Sequence, residues 1–535
     1  LTRAPGDIDG PQRRPVAAPA LLAALALAIA PLPAALLAAQ PNEPVAVQFT
    51  VTGYRVEGEN PLAAARTRAV LAPFTGEHLD LERLQEASEA LEAALRAAGY
   101  PFHRVVIPPQ RSASGEIRLE VLAFRIGRIE VRGNRHFTAE SVLRMLPALR
   151  AGEPINARRL DRSLKVANQH PAKRLRLTMR ESNEPDRIDA LVEVNDRPPW
   201  RLFASLANRG SAGSGRNRLS LGAQHSNLFG RDHSATLSYI TSPNHTRAVR
   251  QVGAFYRIPF YRAGATLDAS FVYSEVDSGT VAEFFDVSGS GRFWGLRYTQ
   301  ALPRRAGYRH SITIGLEDRF FDDRLRFDAA PIGNDVRSRP LSLGYRVRWS
   351  PRWGSAEARL DYARNLPGGT SNSAADYVAA RAGARRGWDV LRYGASLLRG
   401  DEAGWRLLLA FDGQWSNEPL ISGEQFGLGG PGSVRGFEDR EISGDRGVQA
   451  SLELTTPPLA PGLHVLGFLE GGQLRRIQAQ PGERSRETAA ALGLGLRWQW
   501  GGSLGLELDY GYVVNGAGTR ERGDDRLHFT FLWSS

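Results

Sequence analysis

The chain has no cysteine, which excludes disulfides, thiolate metal sites and cysteine nucleophiles and suits an oxidising compartment. Lysine is almost absent. Of 68 basic residues only Lys165 and Lys173 are lysine, and the rest are arginine. These arginines are interspersed with 57 acidic residues and form no basic block, so the net charge of +11 reads as a high-GC codon preference. Nucleic acid is therefore not expected as a partner. Long apolar runs are missing as well: after residue 40 no stretch approaches the roughly 20 apolar residues that a membrane-spanning helix needs. That argues against a helical membrane protein but not against a barrel, whose membrane preference is hidden in alternation. There is no P-loop, no G-x-S-x-G elbow and no metal-ligand spacing around the 10 histidines. No cofactor or metal is expected, and the chain is read as a non-enzyme.

What is present begins with a leader. Arg13 and Arg14 precede an apolar core of 11 residues at 20–30, then Pro31 and Pro33, then the small-residue stretch Ala38-Ala39-Gln40. This is the order of a secretory signal of the Sec type over residues 1–40, with Leu37 a poor fit before a cut after Ala39. Residue 1 is Leu and the first methionine is Met145, so an alternative or misplaced start is expected.

Residues 47–124 and 125–197 read as two modules of one design, β-α-α-β-β. In the first, a strand-like run from Val47 to Val56 leads to a short helix (63–71) and a longer one. In the longer helix Leu81, Leu84, Ala87, Leu91 and Leu95 recur at helical spacing, and Gly99 is placed as its cap. Strand signals at 105–107 and 117–122 close the module. The second repeats the order: a strand at 126–132, a helix at 138–149 with a partial capping box at Thr138, a helix marked by Leu160, Leu164 and Ala167, and strands at 175–179 and 188–194.

From residue 198 to 535 helical periodicity gives way to about 16 alternating segments of roughly 10 residues, separated by Gly, Pro, Asn, Asp or Ser. The last carries Leu527, Phe529, Phe531 and Trp533 on one face, which suits closure against the first strand. The fold expected is thus α+β modules followed by a 16-stranded antiparallel transmembrane β-barrel; a soluble β-sandwich or propeller fits the leader and the length less well. Trp294, Trp349, Trp353, Trp498 and Trp500 are expected as interfacial belt residues.

Between the eleventh and twelfth segments lies Glu424-Gln425-Phe426-Gly427-Leu428-Gly429-Gly430-Pro431-Gly432-Ser433-Val434-Arg435-Gly436-Phe437. Its G-x-G-x-x-G match is a false positive, since no βαβ unit surrounds it. The glycines and proline instead allow a loop over 424–446 to fold tightly inward and carry Arg435 at its tip. A dehydrated Arg435 wants an acid in bidentate geometry. Two strands on, Phe468-Leu469-Glu470-Gly471-Gly472 offers one between glycines that permit close approach. Phe437 is also read as lumen packing, and Gly436 as a positive-φ position.

Leader, paired modules, strand count and loop together resemble the two-partner secretion transporters of the Omp85 superfamily, the hemolysin secretion/activation and filamentous hemagglutinin transporters. The modules look like POTRA domains. Val434-Arg435-Gly436-Phe437 matches the family's V-R-G-[YF] loop motif, and Phe468, Glu470 and Gly472 fall on its F-x-D-x-G strand motif, with Glu in place of Asp. The resemblance implies an outer-membrane channel whose periplasmic modules receive an unfolded client by strand addition, and whose loop latches on the barrel wall. The client would be a large β-helical exoprotein, adhesin or hemolysin, folding outside the cell. The other partners implied are outer-membrane lipid and lipopolysaccharide, with the transporter a monomer. About 7 residues separate the expected cleavage site from the first module, so the plug helix of some relatives is expected to be absent. Three alternatives remain at this point: an Omp85-type assembly factor, which usually has three or more POTRA modules; a passive porin; and an outer-membrane hydrolase built on a grouping such as Asp232-His233-Ser234.

Overall fold

The computed structural model describes residues 49–535 apart from 112–113, 212–213, 247–248, 276–277, 282–284, 289, 304–306, 323–325, 328–329 and 332–333. The leader at 1–40 and the expected lack of a plug helix lie outside the described residues. No helix among those described is long and apolar enough to cross a membrane.

In the first module the helix Leu81–Ala98 starts where the Asp80 carboxylate accepts the Arg83 N–H at 2.9 Å and stops at Gly99, whose φ of +104° is left-handed. Leu84, Ala87, Leu91 and Leu95 are buried against Ile117, Leu119 and Val121 of a sheet ordered Gly53–Gly58, Glu116–Ala123, His103–Val106. Leu81, at the helix's first position, is 68% exposed. A small sheet of Phe49–Val51 and Gly76–Leu79 adds to the expected elements. The second module repeats the pattern with Arg125–Arg132, Ala139–Arg144, Ala157–Ala167, Lys173–Glu181 and Arg187–Asp196. In both modules the first strand runs parallel to the last. Each has its own apolar core.

Sixteen antiparallel strands then close a barrel, from Trp200–Ala207 to Asp525–Ser534, the eighth being split into Val336–Ser338 and Pro340–Trp349. Along Pro340–Trp349 the outward Leu341, Leu343 and Tyr345 are exposed, with Ser342, Gly344 and Arg346 between them facing the lumen. Exposed apolar side chains in this order are what a hydrocarbon solvent requires. The first and last strands pair from Thr530↔Ala207 to Ser534↔Phe203. Asn208 lengthens this seam: its Nδ2 donates to Leu527 O at 2.7 Å, and its Oδ1 accepts from Phe529 N at 2.9 Å. Trp349, Trp353, Trp498 and Trp500 ring the barrel end that bears the modules, whereas Trp294 lies toward the far end.

The second module seats on the near-end turns of the barrel. Lys173, fully buried, reaches Asp232 Oδ1, donates to Ser141 Oγ at 3.3 Å, and lies 4.1 Å from the centre of the Phe137 ring. Tyr261 donates to the other Asp232 oxygen at 3.3 Å. Neutral His170 donates through Nε2 to Ser226 O at 2.6 Å and accepts the Ala172 N–H on Nδ1. Burial, with the Lys173 charge adding to it, pushes His170 down to about 4; burial also lowers Lys173 and raises the Tyr261 hydroxyl. Asp232 is thus committed to Lys173, while His233 meets the Tyr256 hydroxyl at 2.7 Å, so the Asp232-His233-Ser234 grouping is not assembled as an acid–base unit.

Candidate functional site

The segment between the eleventh strand, Arg406–Ser416, and the twelfth, Arg446–Thr455, enters the lumen from the far end. Phe426–Leu428 and Ile442–Gly444 pair as its stem. Gly429, Gly430 and Gly436 take φ of +119°, +91° and +97°, conformations that L side chains rarely adopt, so the glycine-rich sequence is what lets the chain turn back. Val434 and Phe437 are buried with Leu428, Ile442, Leu474 and Val513, which fixes the tip from both sides of Arg435.

Arg435 is 3% exposed and surrounded by acids. Its Nε donates to Glu470 Oε1 at 2.9 Å, and Nη2 meets the same oxygen. Its backbone N–H donates to Glu470 Oε2 at 2.7 Å. Nη1 reaches Asp509 Oδ1 at 3.1 Å, and Nη2 reaches Glu453 Oε2 at 3.2 Å. The guanidinium lies 3.5 Å from the centre of the Phe468 ring. The extra methylene of Glu470 therefore does not prevent pairing; one carboxylate holds side chain and backbone of the same residue. Gly472 makes room for Leu428 of the stem: a Cβ there would lie 2.7 Å from Leu428 Cδ1. All seven residues expected from the two motifs meet at one place: Val434, Arg435, Gly436, Phe437, Phe468, Glu470 and Gly472.

Sequence reading missed the rest of the cage. Asp509, Glu453 and His528, whose Nε2 accepts the Gly436 N–H at 3.2 Å, come from three further strands. Gly511 is required too, since a Cβ on it would lie 2.6 Å from Gly436 N. The available signal was an acid at an inward position of an apolar strand, Leu452-Glu453-Leu454 and Leu508-Asp509-Tyr510.

The loop base has two more buried anchors. Glu424 accepts from Arg319 Nη1 at 2.7 Å and lies 3.5 Å from Arg392 Nη2. Asp445 accepts from Leu420 N at 2.8 Å, Arg381 Nη1 at 2.6 Å and Ile477 N at 2.6 Å, tying three far-end loops together. Arg381 is presented by the helix Ala374–Ala380, which has a capping box at Ser373 and Asp376. Buried guanidinium–carboxylate clusters of this kind add little net stability but cost heavily when one partner is removed, so they fix position.

The model of the haemolysin secretion/activation proteins ShlB/FhaC/HecB matches residues 187–498, and that of the ShlB-type POTRA domain matches 49–123. The chain is 24% identical over 461 residues to an outer membrane transporter CdiB of Escherichia coli, covering 83% of this chain and 76% of that one. In fold it is similar to CdiB from Escherichia coli, with a TM-score of 0.73, 19% identity and 93% of each chain covered. It is also similar to CdiB from Acinetobacter baumannii, with a TM-score of 0.68, 18% identity, and 91% and 90% covered. The chain belongs to the haemolysin secretion/activation family ShlB/FhaC/HecB, outer-membrane transporters of two-partner secretion within the Omp85 superfamily.

Proposed function

We propose that the client of this transporter is a large β-helical exoprotein of adhesin or hemolysin type, and that the loop held at Arg435 is a latch that keeps the barrel in its conducting state. The observation that carries the latch is the Arg435–Glu470 contact, in which one wall carboxylate binds guanidinium and backbone together. In this reading residues 47–124 and 125–197 are two POTRA domains and 198–535 is the channel. The client enters unfolded by adding a strand to a module edge, crosses a lumen of porin scale, and is drawn outward by folding outside. Lipid and lipopolysaccharide surround a monomeric barrel. No chemical step is asked of the chain.

The test is co-expression in a heterologous Gram-negative host with a candidate client, a large exported β-helical protein. Appearance of that product in the medium only when this chain is present is the expected result. Its retention in the periplasm beside a normally inserted barrel would overturn the reading and point to an assembly factor.

A further inference from the structure

The outer surface of the barrel carries two apolar grooves. One, of about 600 Å³, runs over Ala356, Ala358, Ala395 and Ala450 between Trp349 and Phe411. The other, of about 790 Å³, runs over Ala235, Ala254 and Ala269 between Phe271, Trp294 and Leu316. Alanines at outward positions leave a trough where leucines would fill the wall. The grooves differ in where they end. The acid bordering the first, Glu357, faces the lumen and is paired with Arg346 and Arg348. The second rises to Asp318 and Arg339 on the outward face at the far end.

There three strands set a row of outward side chains: Arg292 stands opposite Phe320, and Phe320 opposite Arg337. Both guanidinium carbons flank the Phe320 ring, at 5.4 and 5.2 Å from its centre. Arg339 Nε lies 2.8 Å from Asp318 Oδ2, and Arg337 Nε lies 3.6 Å from Oδ1. Arg337 and Arg339 thus share one carboxylate, and among the described residues the buried Nε of Arg337 has no hydrogen-bond partner. Adjacent strands are about 4.8 Å apart, so the row spans roughly 10 Å, wider than one phosphate. One step nearer the modules Trp294 stands opposite Asp318, and one step further Leu316 lies between Leu296 and Leu341, where hydrocarbon begins.

A client in the lumen does not meet this face, and a soluble anion would leave the groove empty. An amphiphile with more than one phosphate and several acyl chains satisfies both halves: phosphates on the arginine row, chains over the alanines. We propose that the row Arg292, Arg337, Arg339 and the groove below it form a specific site for a phosphorylated, multiply acylated glycolipid of the outer leaflet, of the lipopolysaccharide type. This gives a place to the lipid contact in the function proposed above and rests on it.

The test uses the full chain in phosphatidylcholine nanodiscs doped with bis-phosphorylated hexa-acyl lipid A or its dephosphorylated form. Lipid retained after detergent extraction is counted by mass spectrometry. The wild-type barrel is expected to retain the phosphorylated form at least tenfold better, and Arg292→Gln/Arg337→Gln to lose that preference. Equal retention of the two lipids by the wild type, or an unchanged preference in the variant, would overturn the site. The wild-type arm stands even where the variant inserts poorly. A barrel that binds neither lipid specifically yet still secretes leaves the transporter reading intact.

Discussion

Among the buried cations of this molecule, Arg435 and Lys173 are held differently. Arg435 sits in the lumen among Glu470, Asp509 and Glu453 over the Phe468 ring. Lys173 sits at the junction of module and barrel with a single acid, Asp232, beside the Phe137 ring. The planar fork of arginine can satisfy several carboxylates from different strands at once, whereas an ammonium is a compact point charge suited to one acid and a few hydroxyls. In a chain that uses arginine almost everywhere, both lysines lie at this junction; Lys165 Nζ donates to Leu302 O at 3.1 Å. The contrast separates a multivalent tether of a loop from a monovalent pin of an arm.

The largest effect expected to expose that contrast is from Arg435→Ala. It leaves Glu470, Asp509 and Glu453 facing one another without their shared cation, at a cost of about 3–5 kcal/mol to loop docking. Secretion should be lost while the barrel still inserts and shows heat-modifiable mobility; undiminished secretion would sink the latch. Lys173→Met comes second. Ser141 Oγ, 3.4 Å from Asp232 Oδ1, and Tyr261 still donate to Asp232, so the loss is about 1.5–3 kcal/mol at the junction. It is read as faster proteolysis between module and barrel, with secretion reduced rather than abolished. A full loss of secretion there would mean the pin matters as much as the tether. Glu470→Asp should change loop docking by about 1 kcal/mol or less, measured as protease protection of the loop. A change as large as that of Arg435→Ala would show that the side-chain length is tuned to this cage.

Protonation gives an effect of similar size. With His170 held down to about 4 against an ordinary value near 6.5, the junction is fully stable above pH 6.5 and loses stability as pH falls toward 4. At pH 5.5 the loss is about 1 kcal/mol. Lys173, Arg174 and Asp232 are the charges that face the ring. Hydrogen-exchange protection factors at the Asn227–Asp232 turn, which remove the intrinsic pH dependence of amide exchange, should fall between pH 7 and 5.5 in the wild type and stay level in His170→Gln.

These two sites also differ in how much of them could be read from sequence. The loop site has local signatures: the glycines that permit positive φ are adjacent to Arg435, and Phe468, Glu470 and Gly472 lie within five residues of one strand. Its remaining members, Asp509, Glu453 and His528, are joined to it only by barrel register, which no local pattern encodes. The junction has no signature at all. Lys173 and Asp232 are 59 positions apart, and they meet because a turn of the barrel docks on a module strand. The strand count and the β-α-α-β-β order were legible because alternation and helical spacing are local. Leu81 keeps the helical spacing but is exposed, because periodicity does not say where a helix begins relative to its sheet.

The central claim, that the loop stays on the wall while the client passes, is tested most directly by fixing it there. The chain has no cysteine, and Ser433 Oγ of the loop touches Gln449 of the wall, so Ser433→Cys/Gln449→Cys joined by a short bis-methanethiosulfonate bridge is a clean tether. Secretion that continues unchanged after bridging is the result expected of a latch. Secretion that stops on bridging and resumes on reduction would contradict the account, because the loop would then have to leave the wall for transport to occur.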